Sequence, residues 1–132
     1  MSTTSGTGYR PTHQQQMAED AWRLVSSLSG DKSDYLRFAR QFPALIHACG
    51  LCQAITFAAV KSRTNAEHLA ELLGEKKLDP FMEKVRMAPV HEYIRLNRQA
   101  LAAVTWLKRY AEALLEEKDH TKGGQAHVPG VS

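Results

Sequence analysis

Apolar residues recur along this chain at intervals of three and four, and no stretch alternates convincingly with a period of two. That spacing belongs to helices with one face turned inward, so the pattern predicts an all-α chain. Thr12 and Gln15 form a capping box, after which Met17, Ala21, Leu24, Val25 and Leu28 mark a first helix that Gly30 stops. Ser33 or Asp34 caps the next, whose apolar positions are Tyr35, Leu36, Phe38, Ala39 and Phe42. Pro43 lacks a backbone donor and is expected to kink or divide the helix there. The pattern resumes from Ala44 to Gly50, and Leu51 to Val60 is apolar enough to be buried on most sides. Thr64 or Asn65 then caps a short helix through Leu69, Leu72 and Leu73 that ends at Gly74. Asp79-Pro80 is a start signal, with Asp at the cap and Pro at the first helical position, and Phe81, Met82 and Val85 follow as an apolar face.

The last helix, from Pro89 to Lys118, would be about 45 Å long at 1.5 Å per residue. Leu96, Ala100, Ala103, Leu107, Tyr110 and Leu114 share one stripe of it, with Tyr93, Val104 and Ala111 beside them. Arg98, Thr105, Arg109 and Glu116 fall opposite. Arg95 and Trp106 lie on one flank, Asn97 and Lys108 on the other, and Arg109 is spaced to pair with Glu112. The expectation is a compact bundle of about five to seven helices over residues 12–119, with a long C-terminal helix. Polar, glycine-containing tails at 1–11 and 120–132 are expected to be flexible.

Composition changes this picture little. At 132 residues the chain fits one domain able to bury a core without disulfides or metal. No run reaches the roughly 18 apolar residues of a membrane span, and Met1 to Gly8 lacks the pattern of a secretory signal. A cytoplasmic location with reduced cysteines is the resulting expectation. Charge adds more. The net charge is only +3, but Tyr35 to Ala66 holds no acid while carrying Arg37, Arg40, Lys61 and Arg63. Tyr93 to Ala111 is again free of acid and carries Arg95, Arg98, Lys108 and Arg109. Segregated charge of this kind can attract a polyanion, although ordinary solvated helix faces produce it too.

Catalytic patterns are absent. Cys49 and Cys52 make a C-x-x-C near His47, but the flanks are helical where a thioredoxin-like motif needs a strand, and no second ligand pair exists for zinc. Packing beside the Gly50-Leu51 turn is the favoured role for the two cysteines. The six histidines are scattered without carboxylates at metal-site spacing, and no phosphate-cradling glycine motif follows a strand. No catalytic residue, metal or cofactor is expected. Trp106, at the edge of the core stripe, reads as core more readily than as a base-stacking surface, whereas Trp22, Tyr35 and Tyr93 stay open between core and interface.

Two segments bring a family into view. Tyr35-Leu-Arg-Phe-Ala-Arg-Gln-Phe-Pro-Ala-Leu-Ile-His-Ala-Cys-Gly-Leu-Cys-Gln-Ala-Ile-Thr-Phe57 is one, and Tyr93-Ile-Arg-Leu-Asn-Arg-Gln-Ala-Leu with Trp106-Leu-Lys-Arg-Tyr-Ala-Glu-Ala-Leu-Leu115 is the other. Together, and in this order, they resemble the small subunit of type III-B CRISPR effectors, the Cmr complexes that use a guide RNA to target RNA. Residues 63–88 match only in being helical. The cysteines depart from the family pattern, which has small residues there without favouring cysteine. The resemblance implies a compact α bundle that is not a nuclease. It implies copies stacked in a short filament beside the backbone subunits and the large subunit, along the path of guide RNA and target RNA, in antiviral defence. Holding a phosphate backbone without reading sequence needs spaced cations on rigid helices, since guide pairing supplies specificity. Arg95, Arg98, Lys108 and Arg109 are then the first candidates, and Arg40, Lys61 and Arg63 the second. The alternative is a helical adaptor whose basic residues serve subunit contacts.

Overall fold

The computed structural model describes residues 12–30 and 32–116, which form five α-helices, a short π-helical turn and, among the described residues, no strand. The expected tails, and the last helix's expected end at Lys118, lie outside these residues. α1 (His13–Ser26) opens on the capping box: Gln15 N–H donates to Thr12 Oγ1 at 3.0 Å and Thr12 N–H to Gln15 Oε1 at 2.7 Å. Its inner face is Met17, Ala21, Leu24 and Val25, and Gly30 turns the chain with φ +78°.

α2 (Ser33–Lys61) is the central element, packed by α3, α4 and α5. Pro43 does not divide it; the helix runs through the proline and breaks at Gly50, where φ is 84° and ψ 162°. Phe42 and Ile46, at 0% and 1% exposure, anchor both sides of Pro43 in the core, and that burial outweighs one lost backbone hydrogen bond. The break at Gly50 releases donors that α5 satisfies. Leu51 N–H donates to Asn97 Oδ1 at 2.8 Å, and Cys52 N–H to the Tyr93 hydroxyl at 2.9 Å.

The second half of α2 is not buried on most sides. Leu51, Ala54, Ile55 and Ala58 face the core, whereas Phe57 and Val60 are 42% and 78% exposed. No element among the described residues covers that outer face. The expectation about membrane spans also needs correcting: α2 holds an 18-residue window of mean hydropathy 1.6, so by length and composition it could cross a membrane. The apolar excess arises because one face serves the core while the other keeps apolar residues outward.

α3 (Arg63–Leu72) begins two or three residues before its expected start, with Ser62 rather than Thr64 or Asn65 at the cap position and Gly74 (φ +94°) ending the turn that follows. α4 (Leu78–Met87) begins at Leu78, so Asp79-Pro80 occupies the first turn rather than the cap. The missing donor costs nothing there, because first-turn N–H groups have no partner within the helix. α5 (Val90–Ala111) buries Leu96, Ala100, Ala103, Val104, Leu107 and Ala111. It then widens into the π-helical turn Glu112–Glu116, within which Leu115 is buried at 7% exposure. The core has two parts, one around Phe42, Phe81, Leu69 and Leu96, the other around Val25, Tyr35, Leu107 and Leu115. Trp106 packs against both.

Candidate nucleic-acid and subunit interface

The seven basic candidates divide by what already neutralises them. Arg95 is committed to Glu92 one turn earlier on α5. Arg63 reaches Glu67 at 3.3 Å and Asp79 at 3.5 Å. Arg40 Nε lies 3.5 Å from a Glu112 carboxylate oxygen, bridging α2 to the π-helical turn. Glu112 therefore pairs with Arg40, and the expected Arg109–Glu112 pair does not form. Lys61 stands over the Phe57 ring at 6.0 Å from its centroid. Arg98, Lys108 and Arg109 have no ion pair among the described residues, and Arg109 rests 5.7 Å from the Trp106 ring centroid. Exposed ion pairs such as those of Arg63 and Arg95 are individually weak and can be exchanged for a ligand.

Two of the candidates meet. Arg98 and Arg109 line one groove of about 340 Å³ along the outer face of α5, with Leu101, Thr105 and Trp106 between them and Gln14 of α1 on its edge. The Trp106 indole N–H donates to Gln14 Oε1 at 3.0 Å, and its ring stacks on Tyr110 with centroids 5.6 Å apart. Trp106 is therefore both core-packed and part of an outer surface, a dual position that periodicity alone did not reveal. Lys61 and Arg63 line a different hollow of about 250 Å³, with Lys32, Ser62 and Thr64. Arg95, Lys108 and Arg40 line neither.

A third surface was not anticipated as a site. Leu45, Cys49, Cys52, Thr56, Phe57 and Val60 border an open, mainly apolar hollow of about 520 Å³ on the outer face of α2. The signal for it lay in the sequence, since Leu51 to Val60 carries more apolar residues than one helix face can bury. Cys49 is exposed and Cys52 half-buried, both unpaired, so only Cys52 packs as expected. Cys49 instead belongs to the rim of this hollow. Among the described residues no three His, Cys, Asp or Glu side chains are placed to share a metal ion.

The fold also brings Tyr35 and His68 together, linking α2 to α3 through a 2.8 Å contact between the phenol oxygen and Nδ1. Burial holds the Tyr35 hydroxyl protonated well above its ordinary range. Burial likewise pushes His68 down to about 4, keeping its ring neutral. Tyr93, open between two roles from sequence, caps the α2 break, and Trp22 is 46% exposed on α1.

Known proteins match this arrangement over nearly all of the described residues. The family described as CRISPR-associated protein (Cas_Cmr5) matches residues 13–114. A protein of Thermus thermophilus named CRISPR system Cmr subunit Cmr5 is 37% identical over 114 residues, covering 80% of this chain and 98% of its own. A Thermotoga maritima protein of the same name is 30% identical, covering 80% of this chain and 88% of its own. The crystal structure of a CRISPR-associated Cmr5 family protein from Thermus thermophilus superposes with a TM-score of 0.73 at 34% identity, over 80% of this chain and 98% of that one. Profile, sequence and fold agree with the two segments that first suggested the small subunit of the Cmr complexes, and the chain belongs to the Cmr5 family.

Proposed function

We propose that this protein is a non-catalytic small subunit of a type III-B CRISPR effector complex, present in several copies that stack as a short filament beside the backbone and large subunits. In this reading it lines the path of guide RNA and target RNA in the cytoplasm and supports antiviral defence. The relatives' names support membership of a Cmr complex. The observation that carries the RNA-facing role is the outer face of α5, where Arg98 and Arg109 are exposed, without ion pairs among the described residues, and separated by no acid. Rigid, unneutralised cations of this kind exchange counterions for phosphates without reading sequence, as a guide-directed complex requires.

Lys108, Lys61 and Arg63 are secondary contacts in this reading. Arg40 and Arg95, held by Glu112 and Glu92, contribute less. Replacing Arg98 and Arg109 together by Glu should abolish most target-RNA capture by the assembled complex at moderate salt while leaving assembly intact. Unchanged capture would defeat the RNA assignment.

One observation favours the second reading, an adaptor that touches protein alone: the outer face of α2 is apolar and carries a single charge, Lys61, around its hollow. Such a face suits another subunit better than RNA. The two readings separate in a complex assembled without this subunit. A pure adaptor leaves the RNA affinity of the remainder unchanged.

A further inference from the structure

The two cysteines border one hollow without being bonded to one another. Cys49 is exposed and Cys52 half-buried, and both line the mainly apolar hollow on the outer face of α2. They stand on opposite sides of the helix break, because Gly50 lies between them with φ 84° and ψ 162°. In an unbroken helix their Cα atoms would be about 5 Å apart. The open backbone at Gly50, followed by a helical Leu51, lengthens that to roughly 7 Å at about 3.8 Å per Cα step. A disulfide holds its Cα atoms at about 4.4–6.8 Å, so the joint as folded is too wide for one. Closing it would pull the Leu51 and Cys52 N–H groups away from Asn97 and Tyr93, which accept them at 2.8 and 2.9 Å. Cys52 is held from its other side as well, since the Thr56 hydroxyl donates to its carbonyl at 2.9 Å.

A pair too wide for an S–S bond suits an atom placed between its sulfurs. Two metal–sulfur bonds of about 2.3 Å set in line hold the sulfurs about 4.6 Å apart, a span that thiols on Cα atoms at this spacing reach by side-chain rotation. Ligand number then selects the ion. Among the described residues no three His, Cys, Asp or Glu side chains are placed to share a metal, which leaves zinc short of its four ligands. Calcium and magnesium need oxygen donors, and no carboxylate borders the hollow. Thiolates favour Cu(I), a soft ion that two sulfurs in line satisfy. We infer that Cys49 and Cys52 form a two-thiolate site for a single soft monovalent cation, Cu(I). Binding forms two Cu–S bonds and releases the two thiol protons to solvent, with no change in oxidation state. The product carries a net charge of −1, and the charged residue on the border of the hollow is the cation Lys61. Such a site is independent of whether α5 meets RNA.

The test titrates the full, reduced chain with Cu(I) under nitrogen against bathocuproine disulfonate, a chelator whose Cu(I) complex is coloured. The expected result is one ion withheld from the chelator per chain, with native mass spectrometry showing a monomer that carries one copper. Cys49→Ser and Cys52→Ser should each lose that ion. Cys49 is exposed, so its variant should keep the fold, and thermal unfolding of both variants is followed alongside. X-ray absorption of the loaded protein should show two sulfur neighbours around copper and no others. Retention of the ion by the folded Cys49→Ser variant would overturn the site. Half an ion per chain in a dimer would show that copper bridges two molecules and would equally overturn it. Three or more neighbours around copper, or Zn(II) withheld from a chromogenic zinc chelator with the same dependence on both cysteines, would overturn the two-coordinate assignment. Rapid disulfide formation in the native chain on exposure to a low-molecular-weight disulfide would overturn the spacing on which it rests.

Discussion

His68 enters the fold with its ring neutral and its Nδ1 against the Tyr35 hydroxyl. In the Nε2–H tautomer the phenol donates to Nδ1, so protonating that nitrogen would set two donors against each other. The neighbouring hollow carries Glu67, Glu71 and Asp79 but also Arg63, Lys76 and Lys77, a mixture that offers the imidazolium no net rescue. Folding lowers the His68 pKa from the ordinary 6.5 to about 4, so between those values the unfolded chain binds a proton that the folded chain does not. Stability from this group is complete above pH 6.5 and drains away as pH falls towards 4. Denaturant unfolding at pH 7.5 and 4.5 should show the native protein losing about 2 kcal/mol more than His68→Gln does over the same interval. Equal losses would show that His68 is solvated in the folded state. The sequence offered no hint of this pair, because residues 35 and 68 are brought together only when α3 folds back on α2. The aromatic identity of Tyr35 was visible in the sequence; its partner was a product of tertiary packing.

At the scale of an element, the joint in α2 explains why Gly50, Tyr93 and Asn97 occur in the segments that resemble the family. The backbone at Gly50, φ 84° and ψ 162°, lies in a region closed to residues with a side chain. A Cβ added there would stand 2.9 Å from the Tyr93 hydroxyl. Gly50→Ala should therefore cost about 2–3 kcal/mol from backbone strain and displacement of Tyr93. Asn97→Ala removes the acceptor of the Leu51 N–H and should cost about 1–2 kcal/mol. Because both changes disturb the same joint, the double variant should lose less than the sum of the two, and additive losses in urea titrations would refute the coupling. Helical periodicity bounded the number of helices at about five to seven, of which the described residues hold five, and foretold most of the buried faces, from Met17 to Leu107. It misplaced the break because Pro43 is the stronger local signal. What decides the matter is Phe42 and Ile46 on the near side and the α5 side chains waiting at Gly50, and neither is local information.

Across the described residues, the exposed features sort onto different helices: Arg98 and Arg109, without ion pairs among those residues, along α5, and an apolar hollow along α2. The two therefore make separable predictions about assembly and RNA capture. Phe57 and Val60 are 42% and 78% exposed, so placing Asp at both should leave the isolated fold within about 1 kcal/mol of its original stability. If the α2 face meets another subunit, as the adaptor reading proposes, the same change sets two carboxylates into an apolar contact, where each desolvated charge without a partner is strongly unfavourable. The expected outcome is a folded protein that no longer co-purifies with the other subunits. Arg98→Glu with Arg109→Glu should do the reverse, remaining in the complex while target-RNA capture falls. Lys61, over Phe57 at the edge of the apolar hollow and also lining the basic hollow beside Arg63, belongs to both surfaces and should affect both measurements modestly. Affinity purification of the complex, with bound RNA and bound subunit quantified from the same eluate, checks both pairs at once. If the α2 pair lost RNA but kept its partners, or the α5 pair lost its partners, the assignment of faces would have to be exchanged. Arg98 and Arg109 would then be subunit contacts, the role that the charge pattern alone had left open to them.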